Sequence, residues 1–232
     1  MRCSPERAIV AACLIWAAGL HTLLLIAAWR SPVERTIAAM SLGLLALWVG
    51  LGGSIMVRYR STMVQWMARL PVNWRLRFVG LATALALIEE AIATLMTNAV
   101  TLLGDSSGRA SITASPNYLE VIALNSVVVF VPMFIAWAAL LSWRYFTPFT
   151  VFILFGVSGL LAEILSSGAQ HLLGSGFWVL VYGLMTYLPA CTVPSGVAPQ
   201  ARFWHYPTAV VFPLVCAVPI ALGVLWVRSW LR

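Results

Sequence analysis

Apolar residues run along this chain in long blocks, not in the short polar/apolar periods of a soluble helix or strand. The blocks cover roughly 8–29, 37–57, 78–103, 119–143, 149–165, 172–190 and 207–227. At about 1.5 Å of rise per residue each can cross a hydrocarbon layer as a helix. The pattern therefore predicts an all-α polytopic transmembrane helix bundle of six or seven spans, forming one integral membrane domain over 1–232. The fifth block is short and the sixth is interrupted by Gly174, Gly176 and Gly183, so these two are candidates for one broken or re-entrant unit.

Composition agrees with the pattern. Hydrophobic residues make up 62% of the chain and charged residues 9%, against about 25% charged in soluble domains. The formal charge of +7 comes from arginine alone, and the arginines fall between apolar blocks instead of forming a basic arm, which argues for a lipid bilayer as partner and against nucleic acid. Five of them (58, 60, 69, 75 and 77) stand together without an acid. The positive-inside rule places that connection, and the N-terminus with it, on the cytoplasmic side of an inner membrane. Seven spans put nine arginines inside and five outside; joining blocks five and six gives ten against four. Trp66, Trp74 and Met63 among these arginines suit either an amphipathic segment lying in the interface or a plain orientation signal.

Polar residues inside the apolar blocks are few and regularly spaced. On the third block Thr83, Glu90, Thr94, Thr97 and Thr101 share one helical stripe, with Asn98 at its margin and Glu89 about 100° round from Glu90. On the fifth, Gly156, Gly159, Glu163, Ser167 and Gln170 form a second stripe, small residues first and polar ones after. Asn125 and Ser126 lie in the fourth block, and His171 follows Gln170. Placed by the arginine count, these residues predict a polar cavity among the third, fourth and fifth spans, opening outward, lined by Thr94, Thr97, Asn98, Glu163 and His171 around Glu89 and Glu90.

A charged side chain at a helix centre costs about 2.5–3.5 kcal/mol on insertion scales, so an adjacent acidic pair there needs a partner or a purpose. Structurally, either carboxyl can fasten the bundle through a hydrogen bond to Thr or Asn on a neighbouring helix. Functionally, it can serve as general base toward water or as a proton relay.

A membrane-centre Glu-Glu dipeptide in a bundle of this size resembles the CAAX-type and bacteriocin-processing intramembrane proteases. That family carries Glu-Glu followed after three residues by Arg, then Phe-x-x-x-His, then His-x-x-x-Asn or Asp, on successive helices. Here Glu89-Glu90 matches the dipeptide, Thr94 stands at the Arg position, and Asn125 falls near the place of the second-motif His. In the region of the third motif the polar residues are Glu163 and Ser167, with His171 beyond. The resemblance implies catalysis by Glu89 or Glu90 as general base with Asn125 assisting, and a membrane protein or peptide as substrate. The residues by themselves leave two other classes open, a proton- or cation-coupled transporter or channel subunit, and a non-catalytic accessory subunit working with partner membrane subunits.

The four cysteines (3, 13, 191 and 216) have neither C-x-x-C spacing nor a nearby His, so no metal site is predicted. No nucleotide, zincin or haem-attachment motif is present, and no cofactor is predicted. Pro207, Pro213 and Pro219 predict kinks in the last span. Gly43, Gly50 and Gly53 predict a packing face on the second.

Overall fold

The structure is a computed structural model that describes residues 5–230; Cys3 and Arg232 lie outside the described residues. It is all-helical, with no strand among the described residues. Helix α1 (Pro5–Ala27) runs into a 3₁₀ turn, Ala28–Arg30. Ser31 then caps α2 (Pro32–Leu44), its hydroxyl accepting from Glu34 N at 3.4 Å, with Pro32 at the first position where its missing N–H costs nothing. The helix continues without a break through a π-helical stretch, Leu45–Gly52, into α3 (Gly53–Arg69).

After a short turn comes α4 (Trp74–Asn98), capped by the Asn73 side chain. A polar loop leads to α5 (Tyr118–Leu124) and α6 (Val127–Trp143), bent by 45° at their junction. Thr147 and Pro148 open α7 (Pro148–Ser167), which ends at Gly168 in the left-handed region, φ +106°. A 3₁₀ segment, Ala169–Gly174, precedes α8 (Ser175–Cys191), and α9 (Tyr206–Trp230) closes the chain.

Six helices are individually long and apolar enough to cross a membrane, and the bent α5–α6 pair makes a seventh. The broken span is thus the fourth block, not the fifth and sixth, which form separate helices. Gly174 and Gly176 fall at the start of α8, and Gly183 lies inside it without interrupting it. The last span is one helix, α9, running through Pro213 and Pro219.

The basic stretch after the second span is a continuation of that span. Residues Pro32–Arg69 form one helical run of 38 residues, about 57 Å long at 1.5 Å per residue, so it outruns a hydrocarbon layer of about 30 Å. Its far end lies beside the end of α8, where Arg60 Nη1 donates to the Tyr187 hydroxyl at 3.2 Å, and the start of α4 lies beside the end of α6, where Arg75 Nε donates to Ser142 Oγ at 2.6 Å. The arginine-rich connections therefore share one end of the bundle. The opposite end carries the loop 99–117. Arg228 near the end of α9 reaches Asn125, as seven alternating passes require.

Helix α8 is the central element, packed against α1, α4 and α7, whereas α1 and α9 flank the bundle with most of their surface outward. In lipid, close packing rests on shape and not on expulsion of water, so small residues mark the tight contacts. A Cβ on Gly156 would overlap the Val179 carbonyl, and one on Gly183 would come within 2.6 Å of the Phe152 carbonyl oxygen, so α7 and α8 touch backbone to backbone. On the second span Gly43 faces Met96 of α4 and Gly53 faces Leu184 of α8, while Gly50 points outward and belongs to no packing face. Trp48, inside the π-helical stretch, donates its indole N–H to the Val181 carbonyl at 2.9 Å.

Candidate functional site

Glu89 and Glu90 are both buried in the bundle, 5% and 7% exposed. Position 90 sits two turns before the end of α4, on the stripe that continues through Thr94 and Thr97. The Glu163 carboxyl, one turn before the end of α7, lies within electrostatic reach of both. Three of the chain's seven acids therefore gather at one place, drawn from two helices.

Tyr182 of α8 joins them, its hydroxyl donating to Glu163 Oε1. Its ring stacks on Trp178 at 5.6 Å and meets the edge of Phe130 at 5.5 Å. Gly159 makes this possible, because a Cβ there would overlap the Tyr182 ring. The same stripe of small residues that brings α7 against α8 thus brings the phenol to the carboxyl one turn further on.

The break between α5 and α6 falls at the same site. Asn125 leaves the helical region (φ −145°, ψ −84°), and the Ser126 side chain lies against the Glu90 carboxyl. Asn125 Nδ2 donates to Ser126 Oγ at 3.2 Å, and its carbonyl oxygen accepts from Arg228 Nη1 at 3.4 Å. Non-helical backbone at membrane depth persists only where protein buries it or where it lines a wet space. Here it places the N-terminal, electropositive end of α6 beside acidic side chains, a favourable sense for the helix dipole.

Thr94 is 4% exposed and its hydroxyl has no hydrogen-bond partner. The rest of the predicted lining does other work. Thr97 Oγ1 accepts from Ile112 N at 3.2 Å and from Thr113 Oγ1 at 3.0 Å, and Asn98 Nδ2 donates to the Pro116 carbonyl at 3.1 Å. These two residues hold the loop 99–117 down over the end of α4. The loop is itself organised by Asp105, 2% exposed, whose two carboxylate oxygens accept from Ser107 N, Ser107 Oγ, Arg109 N and Ala110 N. Those bonds, the Ser107 hydroxyl foremost, hold the Asp105 carboxyl below its ordinary range.

His171 lies apart from the carboxyls, its ring against Trp178 at 5.4 Å and so two aromatic rings from Glu163. His21 is buried on α1, with Nδ1 on the Ala17 carbonyl at 2.8 Å and its ring 4.9 Å from Phe177. Among the described residues no three His, Cys, Asp or Glu side chains stand close enough together to hold a metal ion.

Sequence reasoning named Glu89, Glu90, Asn125 and Glu163 and missed Tyr182. The nearest signal is the adjacent Gly183, a small residue on the face of α8 that packs against α7. Comparison with known protein families, with curated proteins and with solved structures finds no match.

Proposed function

We propose that this integral membrane protein handles protons, and that the Glu89–Glu90–Glu163 cluster is where it does so. One observation carries the reading: three carboxyls lie within electrostatic reach of one another inside the bundle, beside the hydroxyls of Tyr182 and Ser126, with no arginine or histidine paired to them among the described residues. Leaving all three ionised would cost about 2.5–3.5 kcal/mol each on insertion scales, so such a set is suited to holding and passing protons. Access is graded along it. Glu89 and Glu90 are enclosed, whereas Glu163 is half-buried near the loop-bearing end, next to exposed Ser166 and Ser167. A proton enters at Glu163 and is held at the pair.

The test is proton flux into liposomes carrying the protein and an enclosed pH dye, under an imposed gradient. The wild type is expected to conduct, with Glu89→Gln, Glu90→Gln and Glu163→Gln each lowering the rate about tenfold or more, the loss of a relay group. Wild-type flux no greater than that of empty liposomes removes the reading.

A second reading, glutamate-dependent hydrolysis of a membrane peptide, is favoured by a separate observation. The residues at or near the three motif positions of the intramembrane proteases, Glu89-Glu90, Asn125-Ser126 and Glu163, gather in one place, beside the Tyr182 hydroxyl and the first amides of α6. Such donors suit a developing oxyanion. New peptide N-termini in co-reconstituted membrane proteins, absent with Glu89→Gln and Glu90→Gln and unaccompanied by flux, would select this reading over the first.

A further inference from the structure

A second polar site, remote from the carboxyl cluster, lies at the arginine-rich end. Helix α6 ends at Trp143, and the next residues turn toward α7. The segment 192–202 returns beside them: Tyr145 N donates to the Pro199 carbonyl at 2.9 Å, and Ala201 N to the Tyr145 carbonyl at 2.8 Å. These two backbone bonds fix the walls of a cavity of about 660 Å³ lined by Arg144, Pro199, Gln200, Arg202, Trp204 and His205.

Its charge is of one sign, for no acid is among the lining residues. The Arg144 guanidinium lies over the Trp143 ring at 4.7 Å, and that of Arg202 over Trp204 at 5.1 Å. Arg144 Nε also donates to His205 Nε2 at 3.2 Å, and His205 Nδ1 lies against the Arg202 backbone, 3.0 Å from its N and 3.1 Å from its carbonyl oxygen. Stacking and this bond hold the two guanidinium groups in place. Among the described residues, Arg144 Nη2 and the whole Arg202 guanidinium donate to no acceptor.

Two guanidinium groups without a carboxylate are matched to phosphate oxygens, which accept from both edges of such a fork. The cavity falls in the range of about 300–1,000 Å³ that holds organic ligands, so it exceeds the need of a bare ion. Its rim places it in the bilayer interface: Trp143, Phe203 and Trp204 are exposed around it, where α6 ends and α9 begins. From the rim the outward apolar face of α9, with Val211, Phe212, Val215 and Val218, runs on along the bundle and gives acyl chains a track.

We infer that this pocket binds the headgroup of an anionic phospholipid, its phosphate held between Arg144 and Arg202. Basic pockets between helices at the charged end of a membrane protein are suited to that ligand, and an amphipathic lipid satisfies the cavity and the apolar track together.

The experiment is native mass spectrometry of the protein from nanodiscs containing phosphatidylcholine and phosphatidylglycerol in equal amounts. The wild type should retain phosphatidylglycerol over phosphatidylcholine by about tenfold, equivalent to about 1.4 kcal/mol. Arg202→Gln should abolish that preference, and Arg202→Lys, which keeps the charge but loses the fork, should keep part of it. Among the described residues the Arg202 guanidinium makes no hydrogen bond and its contact is the stack on exposed Trp204, so both variants should fold, which gel filtration checks. Arg58→Gln, at the same end but outside the pocket, should leave the preference intact. Equal retention by wild type and Arg202→Gln overturns the inference, as does an equal loss in Arg58→Gln. Glycerol 3-phosphate bound in detergent with the same Arg202 dependence, without phosphatidylglycerol preference, would overturn the lipid assignment in favour of a soluble phosphate ester.

Discussion

Adding a single methyl group at Gly183 should loosen the bundle where α7 and α8 touch backbone to backbone. A Cβ there would stand 2.6 Å from the Phe152 carbonyl oxygen and 2.7 Å from its ring. The carbonyl belongs to helix α7 and cannot swing aside, so α7 and α8 must part by about 0.8 Å to regain an ordinary contact of 3.4 Å. Overpacking of this kind costs about 1–3 kcal/mol. Alanine's better helix propensity offsets up to about 1 kcal/mol of it. The net expectation for Gly183→Ala is a loss of about 1–2 kcal/mol, a factor of about 5–30 in the ratio of folded to unfolded protein. Unfolding by SDS titration in mixed micelles, followed by tryptophan fluorescence, measures it. Gly19→Ala is the control, since a Cβ at Gly19 meets nothing within 4 Å, and it should match or exceed the wild type. A Gly183→Ala protein as stable as Gly19→Ala refutes the backbone-to-backbone packing. The opened interface should also draw Tyr182, the residue next to Gly183, away from Glu163.

Three further outcomes test the site and its cover. Thr94→Val keeps the shape and removes a buried hydroxyl without a partner, so stability in the same titration should rise by about 1 kcal/mol; a fall would show that the hydroxyl is engaged. Tyr182→Phe deprives the Glu163 carboxyl of its donor and should cost about 1–3 kcal/mol, and a neutral result would remove the phenol from the site. The lowered Asp105 carboxyl stabilises the loop 99–117 fully above its ordinary value of about 3.9 and loses that contribution as pH falls through its depressed folded-state value. Protection of the amides in 106–113, relative to their intrinsic exchange rate at each pH, should therefore be high at neutral pH and fall in acid, while Asp105→Asn should be poorly protected throughout. Identical wild-type protection at neutral pH and at about pH 2 would contradict this.

The helices were legible because membrane spans are written as long apolar blocks, and every block predicted from the sequence holds a helix or, at 119–143, a broken pair. The break itself was not, since glycines drew attention to 172–190 while the chain bends at Asn125 and Ser126. Glycine there serves close packing: Gly183 is small because Phe152 is near, which no pattern within one helix reveals. Convergence of the Glu89–Glu90 pair with Glu163 was legible as two polar stripes, one on α4 and one on α7. The hydroxyl of Tyr182 was not, because a tyrosine in an apolar block reads as packing until its neighbour across the interface is known. Thr97 and Asn98 lay on the right face, but the loop that they hold down is built from Asp105 hydrogen bonds that follow no periodicity.

The π-helical stretch Leu45–Gly52 gives the second span a requirement of length as well as of composition. Each i→i+5 turn takes in one residue more than an α-helical turn, so the stretch sets the rotational phase between the two halves of the helix. Upstream, Gly43 meets α4; downstream, Gly53 meets α8 and Arg60 meets Tyr187. Inserting one residue beside exposed Leu47, where the turns are already wide and take in no further residue, would rotate everything after it by about 100°. Gly53 and Arg60 would then lose their partners, although every side chain in contact with a neighbour had been left in place.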